Sequence, residues 1–138
     1  MSEQLIRSLY EGRLKAWAAA RVPALPVAWE NVSFTPPVGT YLRAFLLPGD
    51  TRSRDLYGDN RHRVGVFQVN LVCPAGNGPG VAGGIAAELE ALFPMNLILT
   101  SGAFSVTQVS PLRRRAALTD DRYTVPVDFQ YRSDTYPT

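Results

Sequence analysis

Few residues of this 138-residue chain could perform acid–base or nucleophilic chemistry. His62 is the single histidine, which excludes any metal site that needs two histidines. It lies between Arg61 and Arg63, which disfavour its charged form, and no carboxylate near it in sequence could orient it as a general base. Cys73 is the single cysteine and ends an alternating apolar stretch, which is typical of a small buried side chain. We therefore expect no enzyme, no catalytic residue, no metal site and no cofactor.

The carboxylates do not form a catalytic pattern either. Asp120 and Asp121 are adjacent in a predicted turn, and Glu88 and Glu90 lie on the exposed side of a predicted helix. Glycosidase and metal chemistry need carboxylates that converge on one point, and neither pair has that placement. Both pairs are typical of solvated surface positions.

A glycine-rich stretch, GNGPG at 76–80, precedes a predicted helix as a phosphate-binding turn does. It matches neither G-x-x-x-x-G-K-[ST] nor G-x-G-x-x-G. Pro79 also lacks the backbone N–H that such a turn would offer to a phosphate. The stretch is more typical of a linker.

Arginine is the distinctive charged residue, since Lys15 is the only lysine in a chain of net charge +2. Its planar side chain suits bidentate pairing at interfaces, although a base composition that favours arginine codons explains the same bias. Three interpretations remain open: a solvated surface, a contact with an acidic protein surface such as a neighbouring copy, and, third, binding of DNA. Consecutive strand residues alternate between faces, so at most two of three adjacent arginines share one face. The candidate interaction residues are Arg52, Arg54, Arg61 and Arg63, around a predicted loop from Pro48 to Arg63, and Arg113, Arg114 and Arg115.

Length and composition predict one domain at residues 1–132 and a flexible C-terminal tail at 133–138. The apolar fraction of 46% is sufficient for a hydrophobic core. No apolar run approaches the roughly 18–20 residues that cross a bilayer, so we expect no membrane partner. The first residues lack the uninterrupted apolar core of a signal peptide, which favours a cytosolic origin.

Two amphipathic helices are predicted from apolar residues at helical spacing. The first begins at Ser2 and ends before Pro23. The second begins near Pro79 or Gly80 and ends at Pro94. Their apolar residues are Leu5, Ile6, Leu9, Leu14 and Trp17 in the first helix, and Val81, Ile85, Leu89, Leu92 and Phe93 in the second.

Alternating or β-branched segments predict strands at 27–32, 40–47, 63–73, 97–99, 103–109, 112–118 and 123–132. The strand at 40–47 has apolar residues on both faces, which predicts a central position covered on both sides. Pro126 cannot donate a ladder hydrogen bond, which predicts an edge position or a bulge for the last strand. The order of elements indicates an α+β fold, with two helices packed on one face of a mainly antiparallel β-sheet.

Three stretches resemble the tail terminator family of long-tailed bacteriophages, which is related to the minor tail protein that caps the tail tube of phage lambda. They are WENVSFTPPVGTYLRAFLLP at 29–48, GVFQVNLVCPAGNGPG at 65–80, which leads into a helix ending in LFP, and VPVDFQYRSD at 125–134. The resemblance spans nearly the whole chain and lies in the order of structural signatures.

The resemblance implies an α+β structural protein that ends polymerisation of the tail tube. It also implies a hexameric ring whose partners are further copies of the chain, the tail tube protein and a head-completion protein. The location would be the virion tail, assembled in the bacterial host cytoplasm. We expect the loop from Pro48 to Arg63 to become ordered against the tube or an adjacent subunit. The alternatives are a head–tail joining protein or tube subunit and, from another class, a small nucleic-acid-binding protein that uses its arginine clusters.

Overall fold

The computed structural model describes residues 2–52, 61–76 and 78–135, without the side chains of 2, 50–52, 61, 62 and 135. These ranges contain two helices and eight strands. No helix within them is both long and apolar enough to span a bilayer. The strand that ends the described chain continues to Thr135, and its Ser133 is buried. The predicted tail at 133–138 therefore lies partly in this strand and partly, at 136–138, outside the described residues.

Helix α1 (Ser2–Ala20) places one apolar stripe against the sheet. Residues four apart lie on the same side of a helix, and the buried members of this stripe follow that spacing. They are Ile6, Tyr10, Leu14 and Ala18. The predicted Leu9 and Trp17 lie beside the stripe and are partly buried. The sequence pattern therefore gave the correct helix but missed Tyr10, its largest buried side chain.

Helix α2 (Gly80–Leu92) approaches the sheet through small residues. Its buried residues are Ala82, Ile85, Ala86 and Leu89. Val81, which we assigned to the apolar stripe, is 54% exposed, so this assignment is wrong. With Gly80 as the first helical residue, the i, i+3, i+4, i+7 stripe starts at Ala82, and Val81 lies outside it.

The sheet is mixed and mostly antiparallel, as the sequence predicts. Its strand order is β1 (Val27–Ala28), β2 (Tyr41–Arg52), β3 (Arg61–Pro74), β8 (Arg122–Thr135), β5 (Phe104–Gln108) and β4 (Ile98–Ser101). Two short strands, β6 (Arg113–Arg114) and β7 (Leu118–Thr119), also pair with β8. Among the described strands, β1 alone pairs in parallel, with β2.

An aromatic cluster holds both helices on one face of this sheet. Tyr10 of α1 lies 5.1 Å from Phe129 of β8, and Phe93 at the end of α2 lies 5.2 Å from the same ring (centroid to centroid). Phe67 and Tyr131 complete the cluster. Offset and edge-on ring pairs at such distances add stability beyond the buried area. We call this side of the sheet the helix face and the opposite side the open face.

The position of β8 contradicts the prediction made from Pro126. Strand β8 is central, paired with β3 from Arg122 to Thr135 in unbroken register. Pro126 accepts a hydrogen bond from the Arg115 amide at 2.8 Å, so its nitrogen also points towards that flank. On that flank, the described residues form two short bridges with β8 around Pro126: β6 pairs with Val127 and Asp128, and β7 pairs with Tyr123 and Thr124. The missing N–H of Pro126 falls between these two bridges. A proline is tolerated in a central strand because this flank is interrupted.

The β2–β3 hairpin is longer than the sequence predicts. Pro48 pairs with Gly65 and Thr51 with Arg63, so β2 carries one extra residue and continues to Arg52. This is a β-bulge, which lets a strand pass through Pro48 and Gly49 without ending. Within the predicted loop from Pro48 to Arg63, residues 48–52 and 61–63 are therefore strand, and residues 53–60 lie outside the described residues.

Beyond Tyr41, strand β2 is covered on the helix face only, which corrects a further prediction. Tyr41 is buried on the open face by contacts with Phe34, Arg43 and Arg122. Leu42, Ala44 and Leu46 are buried against the helices. On the open face, Leu47 is 46% exposed and Phe45 is half-buried. The neighbouring strand β1 has two residues, and no described helix or strand covers Phe45 and Leu47. Apolar residues on both faces of β2 therefore do not indicate burial on both faces.

Candidate assembly surface

The open face of the sheet is rich in arginine. Register and alternation place Arg43 of β2, Arg122 and Arg132 of β8, and Arg113 of β6 on this face. Arg115 follows β6 and returns to the same face. Arginines on a sheet face without a covering helix make it the natural candidate for contacts with other proteins.

Asp128 is the carboxylate that two of these arginines bind. Its side chain is 3% exposed, although it lies on the open face. The Nε of Arg113 donates to Asp128 Oδ1 at 2.8 Å, and the Nε of Arg115 donates to Oδ2 at 2.7 Å. Both arginine side chains remain 50% exposed. These two hydrogen bonds hold the segment around β6 against β8, and the carboxylate of Asp128 is buried between the strands and this segment.

The arginines keep Asp128 ionised. Burial acts to raise the pKa of this carboxyl group, but the hydrogen bonds and charges of Arg115 and Arg113 outweigh burial and hold its pKa below the usual value. A buried charge is tolerated here because both of its oxygens accept charge-assisted hydrogen bonds.

Arg114 lies on the other face from its two neighbours. Its Nε donates to Glu90 of α2 at 3.3 Å, on the helix face. The structure therefore divides the predicted cluster, with Arg113 and Arg115 on the open face and Arg114 on the helix face. This is the alternation that the sequence predicts for three consecutive strand residues.

The other predicted arginines lie along the β2–β3 hairpin. The backbones of Arg52 and Arg61 belong to β2 and β3, but their side chains are not described, and Arg54 lies outside the described residues. Arg63 is half-buried and has an interaction partner. The structure does not bring these residues together with Arg113 and Arg115 in one described cluster, so a shared site for all of them stays a prediction.

A stack of side chains orders one end of the open face. The guanidinium groups of Arg43 and Arg122 lie 5.5 Å and 5.4 Å from the Tyr41 ring centroid, and Phe34 lies 5.2 Å from it. Arg122 also donates to the carbonyl of Pro37 at 2.6 Å and to that of Gly39 at 3.0 Å. These contacts fix the chain before β2 against the sheet.

Next to this stack is an acidic corner, which we define as Leu118, Asp120 and Asp121. All three are exposed, and Leu118 is 65% exposed. Within the described part of the chain, neither aspartate forms an ion pair. Leu118 pairs with Thr124 of β8, which places its side chain on the open face. The corner therefore presents two unpaired charges and an apolar side chain to solvent.

At the other end of the open face is a valine groove of about 290 Å³. Val64, Val66 and Val109 line it around Gly65, together with Gln130. Arg132 lies opposite Val64 on the neighbouring strand, is exposed and forms no ion pair with any described residue. The groove thus combines an apolar floor with an unpaired cation.

Cys73 and His62, the single cysteine and the single histidine, do not form a catalytic group with one another among the described side chains. Cys73 is buried, and burial raises the pKa of its thiol. The side chain of His62 is not described. No cluster of three or more His, Cys, Asp or Glu residues that could hold a metal occurs in residues 2–52, 61–76 and 78–135.

Sequence reasoning missed the two features of the open face that carry most information. The sequence pattern predicts that Asp128 is an ordinary residue of the polar face. Its burial results from the pairing of β6 with β8, and no local sequence pattern predicts that pairing. Leu118 reads as part of a strand at 112–118, yet the structure has two short bridges with 115–117 between them. The signal available in the sequence was a leucine followed, after one threonine, by two aspartates.

Comparison with known proteins agrees with this fold. A sequence model of the family described as "Phage tail terminator protein" matches residues 5–131. A solved structure, named only by a sequence identifier, is 50% identical to this chain with a TM-score of 0.85, covering 100% of this chain and 99% of the other. No curated protein matches the chain.

Proposed function

This chain belongs to the phage tail terminator family, a structural family whose members cap the tail tube and form part of the virion tail, and from this premise we propose the details of how it acts. We propose that copies of the chain form a closed ring on the finished tube, and that this ring is a hexamer, as the family resemblance implies. The ring stops further addition of tube subunits and offers its outer surface to a head-completion protein. The observation that carries the proposal is the family match, which extends from α1 to β8.

The open face and the two ends of the sheet support a ring. A subunit in a ring needs two different surfaces that complement each other, because a heterologous contact repeats around the axis. Here the acidic corner lies at one end of the open face, and the valine groove with Arg132 lies at the other. The charges at these two positions are opposite, and neither forms an ion pair with a described residue.

The β2–β3 hairpin is the proposed contact with the tube or an adjacent subunit. Arg52 belongs to β2, Arg61 and Arg63 belong to β3, and Arg54 is two residues from Arg52 in sequence. Arginine pairs well with carboxylates at interfaces. We expect reversal of these four charges to produce tails of abnormal length. Reversal of Lys15, an exposed residue of α1, is the control. Normal tail length and infectivity after the fourfold reversal would exclude this role for the hairpin.

Arg113 and Arg115 each donate to Asp128 through Nε, and each side chain is 50% exposed. Their exposed guanidinium atoms could therefore also contact a partner protein. Arg114 is already paired with Glu90 at the surface. A role of these three residues towards a partner stays a prediction, and its test is the tube-binding measurement described next, with single substitutions to glutamine.

Light scattering after size separation, with and without short tail tubes, tests the proposed function. We expect a monomer or closed ring that binds tube ends and prevents their extension by added tube subunits. Unlimited polymerisation of the purified chain would instead indicate a tube subunit. A species that ignores tubes but binds head proteins would indicate a head–tail joining protein. Binding to DNA that weakens steeply with salt would favour the nucleic-acid alternative.

A further inference from the structure

The acidic corner and the valine groove region carry opposite charges, and both include apolar surface. The corner carries Asp120 and Asp121 beside the protruding side chain of Leu118. The groove carries an apolar floor and about 290 Å³ of space. Arg132, which forms no ion pair with any described residue, lies beside it, opposite Val64 on the neighbouring strand. Leu47, which is 46% exposed, lies opposite Val66 and extends the apolar surface of the groove. The corner thus supplies negative charge and a protruding leucine, and the groove supplies an apolar cavity with a positive charge beside it.

The two features cannot meet within one copy of the chain. Leu118 is paired with Thr124, and Arg132 is paired with Val64, so eight residues of β8 separate the two positions. At roughly 3.3 Å per strand residue this separation is about 26 Å. Contact between the acidic corner and the groove therefore requires a second copy.

Two described arginines line the depression that holds Asp120 and Asp121, and neither forms an ion pair with the corner. Arg122 donates to the carbonyls of Pro37 and Gly39. Arg43 lines the same depression as Asp120 and Asp121, yet it forms no ion pair with them and its guanidinium lies over the Tyr41 ring. The corner consequently keeps its charge available for a partner whose surface is basic and apolar.

We propose that the acidic corner of one copy inserts into the valine groove of the next, with Leu118 on the valines and Asp120 and Asp121 facing Arg132. This inference rests on the proposed ring and assigns its subunit contact. Because the corner and the groove are different surfaces, the contact is heterologous and continues from copy to copy until the ring closes.

Charge reversal tests the contact. D120R/D121R places two arginines against Arg132, and R132D places an aspartate against the acidic corner. We expect each variant alone to need at least about tenfold more protein for half-assembly than the wild type. Analytical ultracentrifugation across a concentration series gives this midpoint, and circular dichroism checks that each variant is folded.

Assembly of an equimolar mixture of the two variants is the decisive measurement. In an equimolar mixture, the arginine corner of one variant faces the aspartate groove of the other, and the remaining contact is the native one. We therefore expect the mixture to recover closed assemblies in which the two variants alternate. K15E is the matched control, because Lys15 is exposed on α1, forms no described ion pair and undergoes the same change of charge as R132D.

Three results would overturn the proposed contact. They are wild-type-like assembly of both single variants, failure of the mixture to recover assembly although both variants are folded, and recovery of a dimer and nothing larger. Extension of tail tubes in the presence of wild-type protein is measured in parallel. Tube arrest with unaffected variants rejects this contact alone, whereas growth of tubes past the wild-type protein rejects the proposed function.

Discussion

Replacement of Asp128 by asparagine tests whether the Arg113–Asp128–Arg115 cluster fastens the segment around β6. The substitution removes the negative charge of the carboxylate. It also replaces one carboxylate oxygen, which accepts from an arginine, with an amide N–H₂ group that cannot accept. It leaves the volume of the side chain nearly unchanged, so packing alone should cost little.

The expected loss of unfolding free energy is about 2 kcal/mol. A net hydrogen bond to a charged group contributes roughly 1.5–3 kcal/mol, and two are weakened. The total is reduced because both arginines are 50% exposed and their charges are screened by solvent. For a chain of this size, such a loss lowers Tm by about 6–10 °C.

Urea unfolding at pH 7 and in acid measures both the size and the origin of the effect. The folded-state pKa of Asp128 is lowered, so its contribution is present above the unfolded-state pKa and is lost as pH falls through the folded-state value. The difference between wild type and D128N should therefore be constant near neutral pH and shrink below about pH 4.

R132Q is the matched control, since Arg132 lies on the same face and has no described ion pair. It should change the free energy of unfolding by less than about 0.5 kcal/mol. A loss below about 0.5 kcal/mol for D128N, or a difference between wild type and D128N that does not depend on pH, would refute the reasoning.

Three further substitutions test the packing described above by thermal and urea unfolding. Y10F removes a buried hydroxyl without a described partner, so we expect stability to be unchanged or raised by up to about 1 kcal/mol; a clear loss would reveal a hidden partner. G65A should lower the free energy of unfolding by about 2 kcal/mol or more, because the added Cβ would meet the Tyr131 hydroxyl and lie 2.7 Å from the Leu47 carbonyl oxygen. In the control G39A, the added Cβ meets nothing within 4 Å, so the free energy of unfolding should not change. R21Q breaks a two-point ion pair with Glu88 that joins the helices at 2.9 Å and should cost at most about 1 kcal/mol, since both groups are near the surface; a loss above 2 kcal/mol would contradict this.

The sequence predicted the elements whose signal is local. Helix α1 begins at Ser2 and ends before Pro23, and the alternation of Val125, Val127 and Phe129 places the last strand correctly. These features depend on periodicity and on proline, which act within a few residues. The fold class followed from their order.

The sequence could not predict features that depend on pairing between distant strands. The bulge that carries β2 past Pro48 exists because β3 accepts one extra residue opposite it. The central place of β8 follows from its pairing with β3 on one side and with short bridges on the other. The burial of Asp128 likewise depends on arginines 13 and 15 residues away in sequence. Such partners are set by register, and no local pattern encodes them.

The most direct test of the central claim is the length of tail tubes grown from short seeds with purified tube subunits, measured by electron microscopy. Addition of this protein at successive times should stop growth at the length reached at each addition, with protein density at one tube end. Tubes that keep growing at the same rate in its presence would contradict the assignment of tube capping to this chain.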